Sequence, residues 1–166
     1  MSTPFVITRT FNAPRDVVWK AYTQQEHMAH WFGPKGFTMP HSVMNLRPGG
    51  TFHYCMKAPN GFEMWGKWTL VEISPPEKLV AIQMFSDAQG NIARHPMSAT
   101  WPPQTLATTT FTEQDGQTTL TLHYLPHKAN ATEVATFEAS FAGLQVGWAG
   151  TFDQLEAYLA ELAKRP

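Results

Sequence analysis

Charge is scarce in this chain. Only 15% of its 166 residues are Asp, Glu, Lys or Arg, and the formal net charge is −1. So balanced a surface offers no electrostatic footprint for nucleic acid or an anionic membrane, and neither is expected as a partner. There is one cysteine, Cys55, which excludes an intrachain disulfide and any multi-cysteine zinc site. No apolar run approaches the roughly 18 residues of a membrane-spanning helix. Met1 to Thr10 lacks a basic-then-apolar leader pattern. A cytoplasmic protein without membrane insertion is the expectation. A glycine-rich phosphate loop and a Gly-x-Ser-x-Gly elbow are also missing, and Cys55 lies mid-strand, away from any helix N-terminus that would activate it. No cofactor is expected. Asn130-Ala131-Thr132 matches a glycosylation sequon, but without secretion it reads only as helix-cap chemistry.

What the chain has in quantity is large apolar side chains: six Trp, eleven Phe and eight Met. Nine of the large apolar residues form one pattern near the C-terminus. Val134, Phe137, Phe141, Leu144, Trp148, Phe152, Leu155, Leu159 and Leu162 follow each other at steps of three or four, the spacing of one helical face. The spacing predicts a single long helix over Glu133–Leu162, about 45 Å at 1.5 Å per residue. Thr132 is the expected N-cap, with Glu133 beside it favouring the positive end of the helix dipole. Gly143, Gly147 and Gly150 interrupt the pattern, each costing about 1 kcal/mol relative to Ala. Burying nine large side chains at roughly 1.5–3 kcal/mol each outweighs that cost.

Upstream, Phe5 to Phe11 reads as a first strand. Asn12 with Pro14 opens a short helix bearing Val17, Val18, Ala21 and Tyr22. Thr23-Gln24-Gln25-Glu26 fits a capping box, predicting a second short helix that carries Met28, Trp31 and Phe32 and stops at Gly33-Pro34. Strands are expected over Thr51–Lys57, Met64–Ser74, Lys78–Phe85, Thr105–Thr112 and Gln117–Leu125. Pro75-Pro76-Glu77 and Asp115-Gly116 mark tight connections. Ser86 to Pro103, polar and rich in proline, is read as a long loop. No repeat or linker divides the chain, so one α+β domain is expected over residues 1–166. It would be a curved antiparallel sheet of about six to seven strands wrapped on the C-terminal helix, with two short helices after the first strand.

That order, with its punctuation, resembles the helix-grip fold of the START/Bet v 1-like (SRPBCC) superfamily. Within it the chain is similar to the family of the activator of Hsp90 ATPase homologue. The resemblance runs from Phe5 to Leu162. It rests on Ala13-Pro14 with Val18-Trp19, Trp31-Phe32-Gly33-Pro34, Arg47-Pro48-Gly49-Gly50, Pro75-Pro76-Glu77-Lys78-Leu79, and Gly147-Trp148-Ala149-Gly150-Thr151 followed by Leu155 and Leu159. It implies a cavity between helix and sheet that takes up apolar molecules. It implies no one reaction, because relatives include lipid carriers, aromatic-polyketide cyclases, hormone receptors and co-chaperones. The larger co-chaperones carry a separate amino-terminal domain, for which 166 residues leave no room.

The residues expected to line such a cavity are Trp31, Phe32, Phe37, Phe52, Tyr54, Trp65, Trp68, Met84, Met97, Trp101, Phe137, Phe141, Leu144 and Trp148. So many rings over a one-layer sheet and one helix suit a small-molecule pocket better than a filled core. His53, Glu63, Glu72 and His123 lie on expected strands, and any that faces inward could act as an acid or base tuned by desolvation. Metal chemistry has little support. His27 and His30 sit three apart beside Glu26, and His53 and Cys55 share a strand face, yet no segment supplies three ligands in a zinc pattern.

Three functions follow as expectations. The first is binding of a small hydrophobic ligand, lipid, aromatic or polyketide-like. The second is a cyclase or dehydratase type of enzyme using an inward acid or base, and the third a co-chaperone-like interaction module. Gly143, Gly147 and Gly150 cluster on the back of the long helix, which is uncharged from Ala139 to Phe152. That face suggests close approach by another element or subunit, with a homodimer contact preferred, or a kink eased by glycine.

Overall fold

The computed structural model describes residues 3–165; of the domain expected over 1–166, Met1, Ser2 and Pro166 lie outside the described residues. β1 (Phe5–Phe11) leads into α1 (Arg15–Thr23) and α2 (Gln25–Met28). A run of strands follows: β2 (Thr38–Met44), β3 (Thr51–Lys57), β4 (Glu63–Ser74), β5 (Lys78–Ser86), β6 (Ile92–Ala93), β7 (Gln104–Gln114) and β8 (Gln117–His127). α3 (Ala131–Ala139) and α4 (Phe141–Ala163) close the chain. The eight strands make one antiparallel sheet in the order β1-β8-β7-β5-β4-β3-β2, with β6 paired to β5. This is the α+β helix-grip architecture, with one or two more strands than the sequence suggested. One added strand is the short β6, inside the segment read as loop: the turn Asp87–Asn91 folds it back, the Asp87 carboxylate accepting from the backbone N–H groups of Gln89 and Asn91.

Ladder register fixes which side chains share a face, because directly paired residues point the same way and neighbours alternate. Phe52 pairs with Trp68, Tyr54 with Gly66 and Met56 with Met64. Trp68 in turn pairs with Gln83, and Gly66 with Phe85. These residues form the inner face, continued by Thr105, Ala107, Thr109 and Phe111 on β7 and by Leu120, Leu122 and Tyr124 on β8. A bulge between Leu70 and Glu72 lets Leu70 and Ile73 both keep to the core side. The Arg47-Pro48-Gly49-Gly50 turn is pinned beside that bulge. Gly49 N–H donates to the Leu70 carbonyl and Leu70 N–H to the Gly50 carbonyl. A side chain at Gly50 would run into the carbonyls of Asn45 and Arg47, which explains the glycine. Asp115 (φ 55°) and Gly116 (φ 77°) make the β7–β8 turn with both residues left-handed, matching the twist of a two-residue hairpin.

The long apolar stripe does face the sheet, but on two helices. Phe137, Phe152, Leu155 and Leu159 are buried, while Phe141, Leu144, Trp148 and Leu162 pack half-buried against the core. The break falls at Ser140 (φ −97°, ψ 5°), not at the glycines. Ser140 Oγ donates back to the Thr136 carbonyl at 2.8 Å, and its N–H bonds Phe137 three residues back, which together tighten and end α3. Gly143, Gly147 and Gly150 lie inside unbroken α4, so they ease no kink. A Cβ added at any of them would meet nothing within 4 Å, so no other element of this chain approaches closely there. The cap also moves: Asn130, not Thr132, caps α3 through a reciprocal capping box with Glu133. The expected box at Thr23–Glu26 is absent, because Thr23 Oγ1 donates instead to the Trp19 carbonyl at 2.7 Å.

The motif residues tie these parts together. Thr151 Oγ1 donates to the Gly33 carbonyl at 3.3 Å, and the Gln154 amide reaches the carbonyls of Trp31 and Gly33. Trp31-Phe32-Gly33-Pro34, in the turn just past α2, is thereby clamped to α4. Arg9 on β1 spans to Asp153 at 2.9 Å and to the Ala149 carbonyl. Inward-facing rings fill the end of the molecule under α1. Trp19 and Tyr22 meet Phe111 edge-on, Tyr22 lies against Trp31 and Trp68, and Phe11 meets Phe152.

Candidate functional site

The opposite end of the sheet is not filled. There the C-terminal part of β3, the start of β4, the end of β5, the start of β7 and the end of β8 converge. They leave a part-open pocket of about 90 Å³ bordered by Tyr54, Met56, Met64, Trp65, Gly66, Gln83, Met84, Phe85, Trp101, Pro102, Thr105 and Tyr124. A wider, open cleft of about 390 Å³ adjoins it, between the 95–101 segment and the first turns of α4. Phe85, Trp101 and Tyr124 border both spaces and so form the partition between them. His95, Ser98, Ser140, Gly143 and Leu144 complete the cleft.

Three contacts hold the roof. Trp101 lies against Phe137 (5.4 Å between ring centroids), which also meets Tyr124 (5.4 Å) and Phe141 (5.8 Å). Thr136 Oγ1 donates to Thr100 Oγ1 at 2.9 Å. Arg94 reaches Glu133 at 2.8 Å, so the carboxylate that completes the α3 capping box also anchors the segment carrying Trp101. The Arg94 guanidinium and the Asn130 backbone N–H hold the Glu133 carboxyl below its ordinary value.

No Asp, Glu, Lys or Arg borders the cavity or the cleft among the described residues. Their polar groups are neutral. Thr105 Oγ1 donates to Tyr124 Oη at 3.0 Å, and Gln83 stands beside them on β5. Burial pushes the phenols of Tyr54 and Tyr124 up from their ordinary value, so both stay protonated. His95, in the cleft, is lowered by burial and stays uncharged near neutral pH, with Nδ1 accepting from the Met97 N–H at 2.9 Å.

The residues expected to line the site separate into groups. Tyr54, Trp65, Met84, Trp101 and Leu144 border the cavity or cleft, and Phe137 and Phe141 pack immediately behind the partition. Register shows that Trp65 (paired with Cys55) and Met84 (paired with Lys67) border it from positions whose side chains take the outer face. Trp31, Phe52 and Trp68 belong to the filled core, with Phe32 and Trp148 packed against it. Phe37 is half-buried after α2 and borders neither space, and Met97 is 81% exposed on the loop.

The four polar groups expected inside lie elsewhere, a correction that follows from strand parity. His53 alternates with the inward Phe52 and Tyr54, so it stacks on Trp65 on the outer face and touches the Asp87 carbonyl through Nε2. Glu63 is exposed. Glu72 follows the bulge outward, to Lys78 at 3.5 Å and Ser74 Oγ at 3.1 Å, and His123 is exposed between Leu122 and Tyr124. Cys55 is buried on the outer side, and burial raises its thiol. His27 Nδ1 bonds Tyr158 Oη at 2.6 Å and His30 stacks on the same ring, so both serve the α2–α4 contact. Among the described residues no group of three His, Cys, Asp or Glu could hold a metal ion. Gln83, Phe85, Thr105 and Tyr124 went unread as site residues, although parity with Leu120 and Leu122 pointed Tyr124 inward.

A family model described as "Activator of Hsp90 ATPase homolog 1-like protein" matches residues 12–160. The chain belongs to that family. Solved structures agree on the fold. Protein Ms6760 from Mycobacterium smegmatis is 26% identical with a TM-score of 0.75, covering 93% of this chain and 88% of that one. Protein NE0264 from Nitrosomonas europaea is 22% identical with a TM-score of 0.76, covering 98% and 97%. A protein from Arthrobacter aurescens is 23% identical with a TM-score of 0.78, covering 96% and 87%. No curated protein matches the chain. As in other members of this family, α4 is gripped by the curved sheet, and no described helix is long and apolar enough to cross a membrane.

Proposed function

We propose that this family member binds a small hydrophobic ligand between the sheet and the C-terminal helices. The observation that supports it is the asymmetry of packing. Buried rings pack together at the α1 end of the sheet, while at the other end mostly apolar side chains border about 90 Å³ of free space adjoining an open cleft. Protein interiors close-pack, and space kept open among apolar walls with a few neutral polar groups suits a small-molecule site. A cyclase or dehydratase reading needs an acid or base at the site; the groups expected for that role lie on the outer face, and among the described residues His95 of the cleft is the one imidazole that borders it. Native mass spectrometry of the purified protein, looking for a co-purifying small molecule, tests the proposal directly. An apolar fluorescent probe should also bind saturably and raise the melting temperature by mass action. No saturable binding across a panel of lipids and aromatics would remove ligand binding as the function.

A further inference from the structure

A mid-strand glycine carries the next step. Gly66 has no left-handed backbone, yet a Cβ added there would run into the ring and hydroxyl of Tyr54, its partner across the ladder. Glycine is therefore present for room: it lets the Tyr54 ring lie across β4 and carry its hydroxyl from β3 toward β5 and the cavity. The polar group beside that hydroxyl is the Trp68 indole N–H, a donor only, and it makes no hydrogen bond among the described residues. That neighbour cannot take the Tyr54 proton, and no described residue accepts it.

Tyr124 reaches the same cavity from the far side. Thr105 Oγ1 stands 3.0 Å from Tyr124 Oη and 3.3 Å from the Gln83 carbonyl, and its one proton can serve either. Turned to Gln83 it accepts from Tyr124; turned to Tyr124 it releases the Tyr124 proton to a ligand. Two phenol donors, protonated through burial, face a space walled by Met56, Met64 and Phe85 with no cation to receive a carboxylate. An unpaired anion in such a space is strongly disfavoured. The size adds a constraint. A cavity of about 150 Å³ is known to hold benzene, so about 90 Å³ takes only a small polar head, with the rest of the ligand passing Trp101 into the cleft over Gly143 and Leu144.

Building on the ligand-binding proposal above, we infer that the ligand is a neutral carbonyl compound with an apolar aryl or short alkyl body. Its oxygen accepts from Tyr54 and Tyr124, and its body lies in the cleft. The orientation is carbonyl inward. Fatty-acid carboxylates are excluded by the absence of a counter-charge at the inner end.

The test uses three probes of similar shape on the full chain: acetophenone, ethylbenzene and benzoate, titrated calorimetrically with melting curves in parallel. Acetophenone should bind about 5- to 150-fold more tightly than ethylbenzene, the range of two net hydrogen bonds, and benzoate should not saturate. Tyr54→Phe and Tyr124→Phe should each weaken acetophenone and bring its affinity closer to that of ethylbenzene, measured on the same variant. Gly66→Ala, which displaces the Tyr54 ring, should act like Tyr54→Phe. Saturable binding of ketone and hydrocarbon with equal affinity would overturn this inference and leave the ligand-binding proposal standing. So would benzoate binding more tightly than the ketone. Failure of all three probes, together with the wider lipid and aromatic panel, would overturn both.

Discussion

Truncating Phe137 tests how the roof of the cavity is held. This side chain is 0% exposed and touches Trp101, Tyr124 and Phe141, so it joins the 95–101 segment, the sheet and both C-terminal helices. Buried Phe→Ala changes cost about 3–5 kcal/mol from lost transfer energy and the cavity left behind. Three aromatic neighbours place Phe137→Ala toward the upper part of that range, about 4 kcal/mol. Domains are stable by roughly 5–15 kcal/mol, so the variant should still fold. At this chain length each kcal/mol corresponds to about 2–4 °C, giving a fall in Tm of roughly 8–16 °C. Urea unfolding should show the midpoint moving with the slope m unchanged. Met97→Ala, on the same roof but 81% exposed, should stay within about 0.5 kcal/mol of the parent. A loss below about 1.5 kcal/mol for Phe137→Ala, or equal losses for the two variants, would refute the packing described here. The space vacated beside Tyr124 and Trp101 should also let the cavity accept bulkier apolar probes.

Two further outcomes follow from named contacts. The Glu133 carboxyl is held below its ordinary value of 4.5 by Arg94 and the Asn130 N–H, so its ionised form is the stabilised one. That contribution is fully present above about pH 4.5 and disappears as pH falls through the lowered value. Melting curves from pH 7 to about pH 3 should show Glu133→Gln less stable than the parent at neutrality and converging on it in acid; a gap independent of pH would contradict the assignment. Gly147→Ala should stabilise by about 0.5–1 kcal/mol, since an added methyl meets nothing within 4 Å and glycine costs helix propensity. Light scattering on Gly147→Arg separates this from a proposed homodimer contact on the same exposed face. A dimeric parent made monomeric would support the contact, and a parent monomeric at high micromolar concentration would remove it.

The sequence by itself determined the architecture. Period-two alternation, the turn residues Pro75-Pro76, Asp115-Gly116 and Arg47-Pro48-Gly49-Gly50, and the three-and-four spacing from Phe137 to Leu162 are local signals, and local physics decodes them. They led to the ends of six of the eight strands within about two residues, though to neither β2 nor β6, and to the helix-grip fold and the apolar face of the C-terminal segment. The site was less legible because it depends on parity and register, which one residue's shift inverts. His53, Glu72 and His123 fell on the outer face for that reason, Glu72 with a bulge adding its own displacement. The break at Ser140 depended on a side-chain hydroxyl competing for one carbonyl, an effect too weak for periodicity to register. Tertiary structure alone decided which rings fill and which surround. Trp31, Phe52 and Trp68 pack solid because α1 and the clamped turn after α2 press rings onto them. Tyr54 and Tyr124 border free space because only a loop, anchored through Arg94 and Glu133, covers that end of the sheet.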